Sequence, residues 1–370
     1  MKKKYIIFSI VTLVLLVSFL SYSKYLKTTN VCKEDVKPTK ITKGISMNLE
    51  QTAGAGDYKT VTQSSWPTKG YKFNAELSRC ENGSTLSWDD TKKAVIMQGN
   101  VSDKCYVYFD KILTLAEYVI SQYTGTQGDN ALYYHNSTLT NGAGDNSYRY
   151  AGASDSVNNY ICLGSDATTC PEANLFRIIG VFGDQTKVIR AKSVGDKQWH
   201  TSPNNTWASS SLNTYLNGTY LTSLGTLAEK IATTTWKVGG GAYANISQSV
   251  PKTAYQYEVG SSASTTTYDA KIGLMYVSDY GFAADQSGWT TKLGSYGSNS
   301  SKNWLYLGSF EWTISCDSDR TYGAFSVNSD GHVDGSGVGS SIGVRPSFNL
   351  ESSVKYVSGS GSMSDPVRVN

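Results

Sequence analysis

The chain opens with an uncharged, apolar-rich run, Tyr5–Leu20, behind Lys2, Lys3 and Lys4. Beyond it, apolar residues come in short groups instead of long stripes. Tyr71-Lys72-Phe73-Asn74-Ala75, Ala94-Val95-Ile96-Met97 and Cys105-Tyr106-Val107-Tyr108-Phe109 are rich in β-branched and aromatic residues. The turn clusters Glu81-Asn82-Gly83-Ser84 and Asp89-Asp90 separate them. This pattern predicts a small antiparallel β domain over residues 45–111. Thr114-Leu115-Ala116-Glu117 then has the spacing of a capping box and predicts a helix running to Tyr123.

Further on, Phe176–Phe182 and Lys187–Ala191 flank Gly183-Asp184 and predict a hairpin. Ser209–Leu212 opens a short helix that Asn217-Gly218 should end, and Leu227–Ile231 forms part of another. Lys271–Val277 reads as a buried strand closing on a helix start at Ser278-Asp279. Glu311–Ser315, Ala324–Val327 and Ile342–Leu350 read as strands, with Asp330-Gly331 as a hairpin turn. The expected fold class is therefore α+β: an N-terminal membrane helix, a small all-β, sandwich-like domain, then an α+β domain. The expected divisions are 1–22 as signal anchor or signal peptide, 23–44 as linker, 45–111 as the β domain and 112–370 as the last.

Lysines ahead of an apolar run stay on the cytoplasmic side, so the rest of the chain is expected outside. The run is about as long as the roughly 18–20 residues that span a bilayer. It reads as an uncleaved anchor, with cleavage near Ser21 and Ser23 as the alternative. The expected location is the cell membrane, single-pass with the C-terminal part outside, or secretion if the run is cut.

Composition supports that placement. Charged residues make up 17%, while Gly (35) and Tyr (26) abound, which suits many-turned extracellular β structure. The net charge of +3 is scattered without a basic stripe, so nucleic acid is not an expected partner. Six cysteines outside the membrane read as structural. Cys80 with Cys105 and Cys162 with Cys170 are plausible local disulfides; Cys32 and Cys316 are left to pair or stay free. No Cys-x-x-Cys or histidine pair has zinc-ligand spacing. Asp317-Ser318-Asp319, Asp330 and Asp334 lack the full spacing of a calcium loop, so neither metal nor cofactor is expected.

The three histidines, His135, His200 and His332, lie in polar text and are expected in solvent. No Gly-x-Ser-x-Gly elbow accompanies them, and the chain is not expected to be an enzyme. Trp207, Trp236 and Trp312 read as core, and Arg345 as a paired structural charge. Trp199, Trp289 and Trp304 stand in Ser-, Asn- and Gly-rich loops, where an indole can stack on a sugar or anchor a protein contact. They are the candidate ligand-binding residues.

Several segments together carry a resemblance. They are Asn159–Ser165, Cys170-Pro171, Leu175–Phe182, Asn205-Thr206-Trp207, Leu212–Asn217, Ile272–Tyr280, Asn303-Trp304, Glu311–Ile314 and Gly343-Val344-Arg345-Pro346. From Tyr118 to Asn370 the chain resembles uncharacterised surface proteins of low-GC Gram-positive bacteria, whose C-terminal domain of unknown function ends in Val-Arg-Pro. The segment from Cys80 to Phe109 resembles the small β module that often precedes it. The resemblance implies a fold like C-type lectins and formylglycine-generating (sulfatase-modifying) enzymes, with long loops forming a binding surface. The pilin signature Gly-Phe-Thr-Leu-x-Glu of some relatives is missing here.

The expected function is a non-enzymatic, adhesin-like binding module for a host or cell-wall glycan or protein, attached to the cytoplasmic membrane by its N-terminal helix. The alternatives are a structural part of the envelope or a pilus-like assembly, and a formylglycine-generating-type enzyme.

Overall fold

The computed structural model describes residues 33–35, 44–62, 65–67 and 70–370. The expected membrane helix (1–22) and most of the expected linker (23–44) lie outside the described residues. The chain falls into two compact units, divided after Ile112.

The first unit holds seven strands: β1 (Lys33–Asp35), β2 (Ile45–Glu50), β3 (Tyr58–Val61), β4 (Tyr71–Cys80), β5 (Thr85–Asp89), β6 (Ala94–Gln98) and β7 (Cys105–Lys111). They form two sheets, ordered β3-β2-β7-β4 and β1-β6-β5. Strand alternation sends Cys105, Val107 and Phe109 of β7 inward. The Phe109 ring lies 5.7 to 5.9 Å from the rings of Trp66, Phe73 and Trp88, gathering both sheets around one small core. Cys80 and Cys105 face each other directly across β4 and β7 and are disulfide-bonded over a separation of 25 residues. A loop of that size gains about 3–4 kcal/mol from the cross-link. The double variant Cys80→Ser/Cys105→Ser should lose that much, read as a lower urea midpoint for this unit alone.

The second unit begins with the helix Leu115–Ser121, whose N-terminus is closed by both halves of the Thr114–Glu117 capping box. Its main sheet has eight strands. Those nearest the site are β8 (Leu132–Tyr134), β9 (Tyr148–Tyr150), β10 (Tyr160–Cys162), β11 (Leu175–Phe182) and β12 (Gln185–Arg190). The order runs Ser347–Leu350, β12, β11, β10, Val367–Val369, Tyr356–Ser358, with the β8–β9 hairpin also pairing on β11. A second sheet of five strands includes Glu311–Cys316 and Gly323–Val327. One large core, including Phe176, Ile178, Val188, Trp312, Ile314, Phe325 and Phe348, serves the unit.

The expected fold class needs correction. The described chain is mostly β-sheet with few helices, and the longest α-helix is Pro251–Glu258, with eight residues. Among the described residues no helix is long and apolar enough to cross a membrane, so none supplies the expected membrane helix. The helices are short because their apolar stripes last only one or two turns before Gly, Ser and Thr text intervenes.

Two local expectations also change. Asn217-Gly218 does not end its helix; the backbone continues through a π-turn over Leu216–Tyr220. The Asn217 amide clamps the backbone of Ile272 by donating to its carbonyl (2.8 Å) and accepting from its N–H (2.9 Å). Ile272–Met275 is buried yet irregular, bridged to Ser347 at Gly273 and accepting from Ile314 N at the Met275 carbonyl (3.0 Å).

Candidate functional site

Strand register assembles the site. Arg149 of β9 pairs with Gly180 of β11, Gly180 with Lys187 of β12, and Lys187 with Asn349 of Ser347–Leu350. Directly paired residues share a sheet face, so this row sets two cations and an amide side by side around a position with no side chain. Gly180 is required there, since a Cβ would stand 2.1 Å from the Tyr148 carbonyl oxygen. Phe182, two residues along β11, falls on the same face.

Opposite this row lies the start of the helix Val277–Phe282. Asp279, its third residue, accepts from Tyr276 N (2.9 Å) and Lys187 Nζ (2.5 Å) and pairs with Arg149 at 3.4 Å. Arg149 also reaches Asp145 (2.6 Å) and Ser147 Oγ (2.8 Å). Glu258 accepts from the backbone of Val277 (2.9 Å) and Ser278 (2.7 Å) and from Ser315 Oγ, capping that helix from below. Rings complete the chamber. Lys187 Nζ lies 4.6 Å from the Tyr276 ring centre and 5.3 Å from that of Trp236, and Arg149 lies 4.6 Å from that of Phe182.

Burial penalises the charge on Asp145, but Arg149 and the Ser147 bonds overcome it and hold the carboxyl at about 2. Burial brings Lys187 below the ordinary lysine value despite the pull of Asp279, and raises Glu258 above the ordinary glutamate value.

A cavity of about 160 Å³ opens over this floor, walled by Phe182, Trp236, Tyr255 and Tyr276. Ser278 and Asn349 are among its lining residues; Ser278 Oγ and Asn349 Oδ1 are themselves buried and without a hydrogen-bond partner, and Ser278 is 1% exposed. A larger groove of about 660 Å³ lies beside the Cys162–Cys170 loop. Its Arg368 is already engaged by the carbonyls of Ser165 (3.0 Å) and Thr168 (3.1 Å). The smaller cavity therefore has the better-built interior.

None of the expected ligand-binding tryptophans reaches a surface. Trp199, Trp289 and Trp304 are 0%, 0% and 1% exposed. Each indole N–H donates to a backbone carbonyl, of Thr313 (3.1 Å), Ala284 (2.9 Å) and Tyr150 (2.8 Å) respectively. The loops fold their rings inward as plugs, so stacking on a ligand from exposed loops is ruled out for all three. Trp236, read as core, is buried and lines the cavity instead. Both expected disulfides, Cys80–Cys105 and Cys162–Cys170, are formed. Among the described residues Cys316 is the one free cysteine; it is buried and donates to the Val238 carbonyl at 3.4 Å. The one grouping of metal-ligating atoms among the described residues, Cys80, Asp103 and Cys105, consists of a disulfide and a carboxylate bonded to the backbone of Asn82 and Ser84.

The histidines also depart from expectation. His135 is fully buried, with Nδ1 accepting from Ala143 N at 3.0 Å and its ring set against Phe282 and Trp289. His200 is buried too, and His332 is partly buried beside Asp330 at 2.5 Å. Burial and then Arg149 hold His135 well below the ordinary 6.5. Below that ordinary value the unfolded chain takes up a proton that folded His135 refuses, so this contribution to stability is lost as pH falls. Its slope is about 1.4 kcal/mol per pH unit. Comparing urea midpoints of the wild type and His135→Gln from neutral pH downward, the two curves should converge with acid; parallel curves would exclude the effect.

Residues 183–352 match a protein family described as a domain of unknown function (DUF6273), a span that contains Lys187, Trp236, Tyr255, Asp279 and the Val344-Arg345-Pro346 sequence. No curated protein and no solved structure matches the chain. The resemblance thus holds at the level of an uncharacterised domain; no link to C-type lectins or to formylglycine-generating enzymes is found.

Proposed function

We propose that residues 113–370 are a non-enzymatic binding module working outside the cytoplasmic membrane, and that the cavity over Lys187 and Asp279 receives one sugar ring of a host or cell-wall glycan. One observation carries this reading: a cavity of about 160 Å³ walled by the rings of Phe182, Trp236, Tyr255 and Tyr276, with Arg149 and Asn349 among its lining residues. A cavity of about 150 Å³ admits a single six-membered ring. The rings of Tyr255 and Phe182 supply apolar wall, and Arg149 and Asn349 supply polar lining, matching the mixed demands of sugar hydroxyls. The cations and carboxylates in the floor pair with one another, which favours an uncharged ligand.

Two disulfides support an oxidising compartment. Attachment through the N-terminal run remains the proposed tether, and nucleic acid is not a proposed partner.

Calorimetry of the full chain against neutral mono- and oligosaccharides, and against short peptides, tests the reading. Asn349→Ala and Tyr255→Ala should each weaken sugar binding about 10-fold, the effect of roughly 1.4 kcal/mol. Binding that ignores both substitutions, or is confined to the peptides, would refute the sugar-ring reading.

A further inference from the structure

Lys187 and Asp279 are placed for more than an ionic contact. Nζ lies 2.5 Å from Oδ2, and the two side chains are 6% and 2% exposed. Tyr276, Trp236 and Phe182 present ring faces to the ammonium at 4.6, 5.3 and 5.7 Å. We propose that Lys187 Nζ condenses with the Asp279 side-chain carboxyl, forming an intramolecular isopeptide bond that ties β12 to the helix Val277–Phe282 across 92 residues of chain.

As an ion pair, the two groups are inert: an ammonium has no lone pair, and a carboxylate is a poor electrophile. Passing one proton from Nζ to the carboxylate gives an amine beside a carboxylic acid. Lost hydration weighs against both charges in this chamber, while Arg149 at 3.4 Å weighs for the carboxylate. Burial moves Lys187 in the required direction. The amine lone pair then attacks Cγ, one bond beyond the oxygen that Nζ already touches. Electrons move onto Oδ1, which faces Arg149 at 3.4 Å, so the developing oxyanion meets a fixed cation.

When the carbonyl re-forms, the Cγ–Oδ2 bond breaks and Nζ yields a proton to the departing hydroxyl. One Nζ–Cγ bond has formed, one water has left, and no oxidant or reductant is consumed. The adjoining cavity gives that water an exit. Groups held in such contact react at an effective concentration of about 10⁵–10⁸ M, which opposes the reverse hydrolysis.

The other ion pairs lack these conditions. Arg149–Asp145 and Arg345–Glu311 are buried, but a guanidinium keeps its proton and is no nucleophile. The lysines paired with Asp89, Asp90, Glu81 and Glu172 are half-exposed or more, so water keeps them charged. Among the described residues, Lys187 is the lysine held against a carboxylate out of solvent. The bond leaves Arg149, Ser278 and Asn349 at the cavity, so it stands or falls apart from sugar binding.

Mass spectrometry of the full chain, denatured and then reduced, tests the proposal. The chain should weigh one water less than its observed termini require. Proteolysis should release a branched peptide containing both Lys187 and Asp279. Lys187→Arg keeps a cation for Asp279 but cannot condense; it should recover the missing water, lose the branch, and melt at a lower temperature while retaining both disulfides. Full mass with an unbranched Lys187 peptide in the folded wild type would overturn the proposal whatever the variant does. So would a branch mapped to any other pair.

Discussion

Asp279→Ala is expected to destabilise residues 113–370 by at least about 3–5 kcal/mol, because it leaves Arg149 and Lys187 buried without the side chain both of them face. Asp279 is the point where Arg149, Lys187 and the Tyr276 N–H converge. Without it, Arg149 keeps only Asp145 as a paired carboxylate, Lys187 loses its ion-pair partner behind aromatic walls, and the helix Val277–Phe282 loses a cap. Asp279→Asn still accepts from Tyr276 N and should cost less. Urea denaturation followed by far-ultraviolet circular dichroism measures both. A loss under about 1 kcal/mol for the alanine variant, typical of an exposed pair, would show the cluster to be solvated.

Glu311→Ala is expected to cost a similar amount for a separate reason. Glu311 and Arg345 are each 1% exposed and pair in two-pronged fashion, and Arg345 donates further to the Leu305 carbonyl at 2.5 Å. Removing the glutamate strands a guanidinium that has one nitrogen, Nη1, unmatched already. The expected loss of about 3–5 kcal/mol corresponds to a fall of roughly 6–20 °C in Tm for a unit of this size. Glu311→Leu combined with Arg345→Met should recover much of it, because the apolar pair removes both desolvation costs. If the double variant is worse than Glu311→Ala, the ionic pair itself is stabilising, and its neutral replacement fails for lack of fit.

How much of this was legible in the sequence follows from the range of each interaction. The Thr114 capping box, the Gly183-Asp184 hairpin and the two local disulfides depend on residues near in sequence or on facing strands, and all four are present. The tryptophan loops were misread because composition reports the neighbours along the chain, whereas burial of Trp289 is decided by Tyr133, His135 and Phe282. The site itself was missed, though it left a trace. Lys187 stands directly before Val188 and Ile189 in β12, and Arg149 lies between two tyrosines. A charge at such a position must find a counter-charge inside. Its identity, Asp279, comes from a segment 92 residues away, beyond any local pattern.

The strand Val367–Val369 lies between β10, to which it runs parallel, and Tyr356–Ser358. Its neighbour β10 is made some two hundred residues earlier, so that flank of the eight-stranded sheet stays open until nearly the whole unit has been synthesised. Long-range pairing of this kind is slow to form. Until Val367–Val369 arrives, the flank of β10 is an unpaired strand edge, open to pairing with another chain.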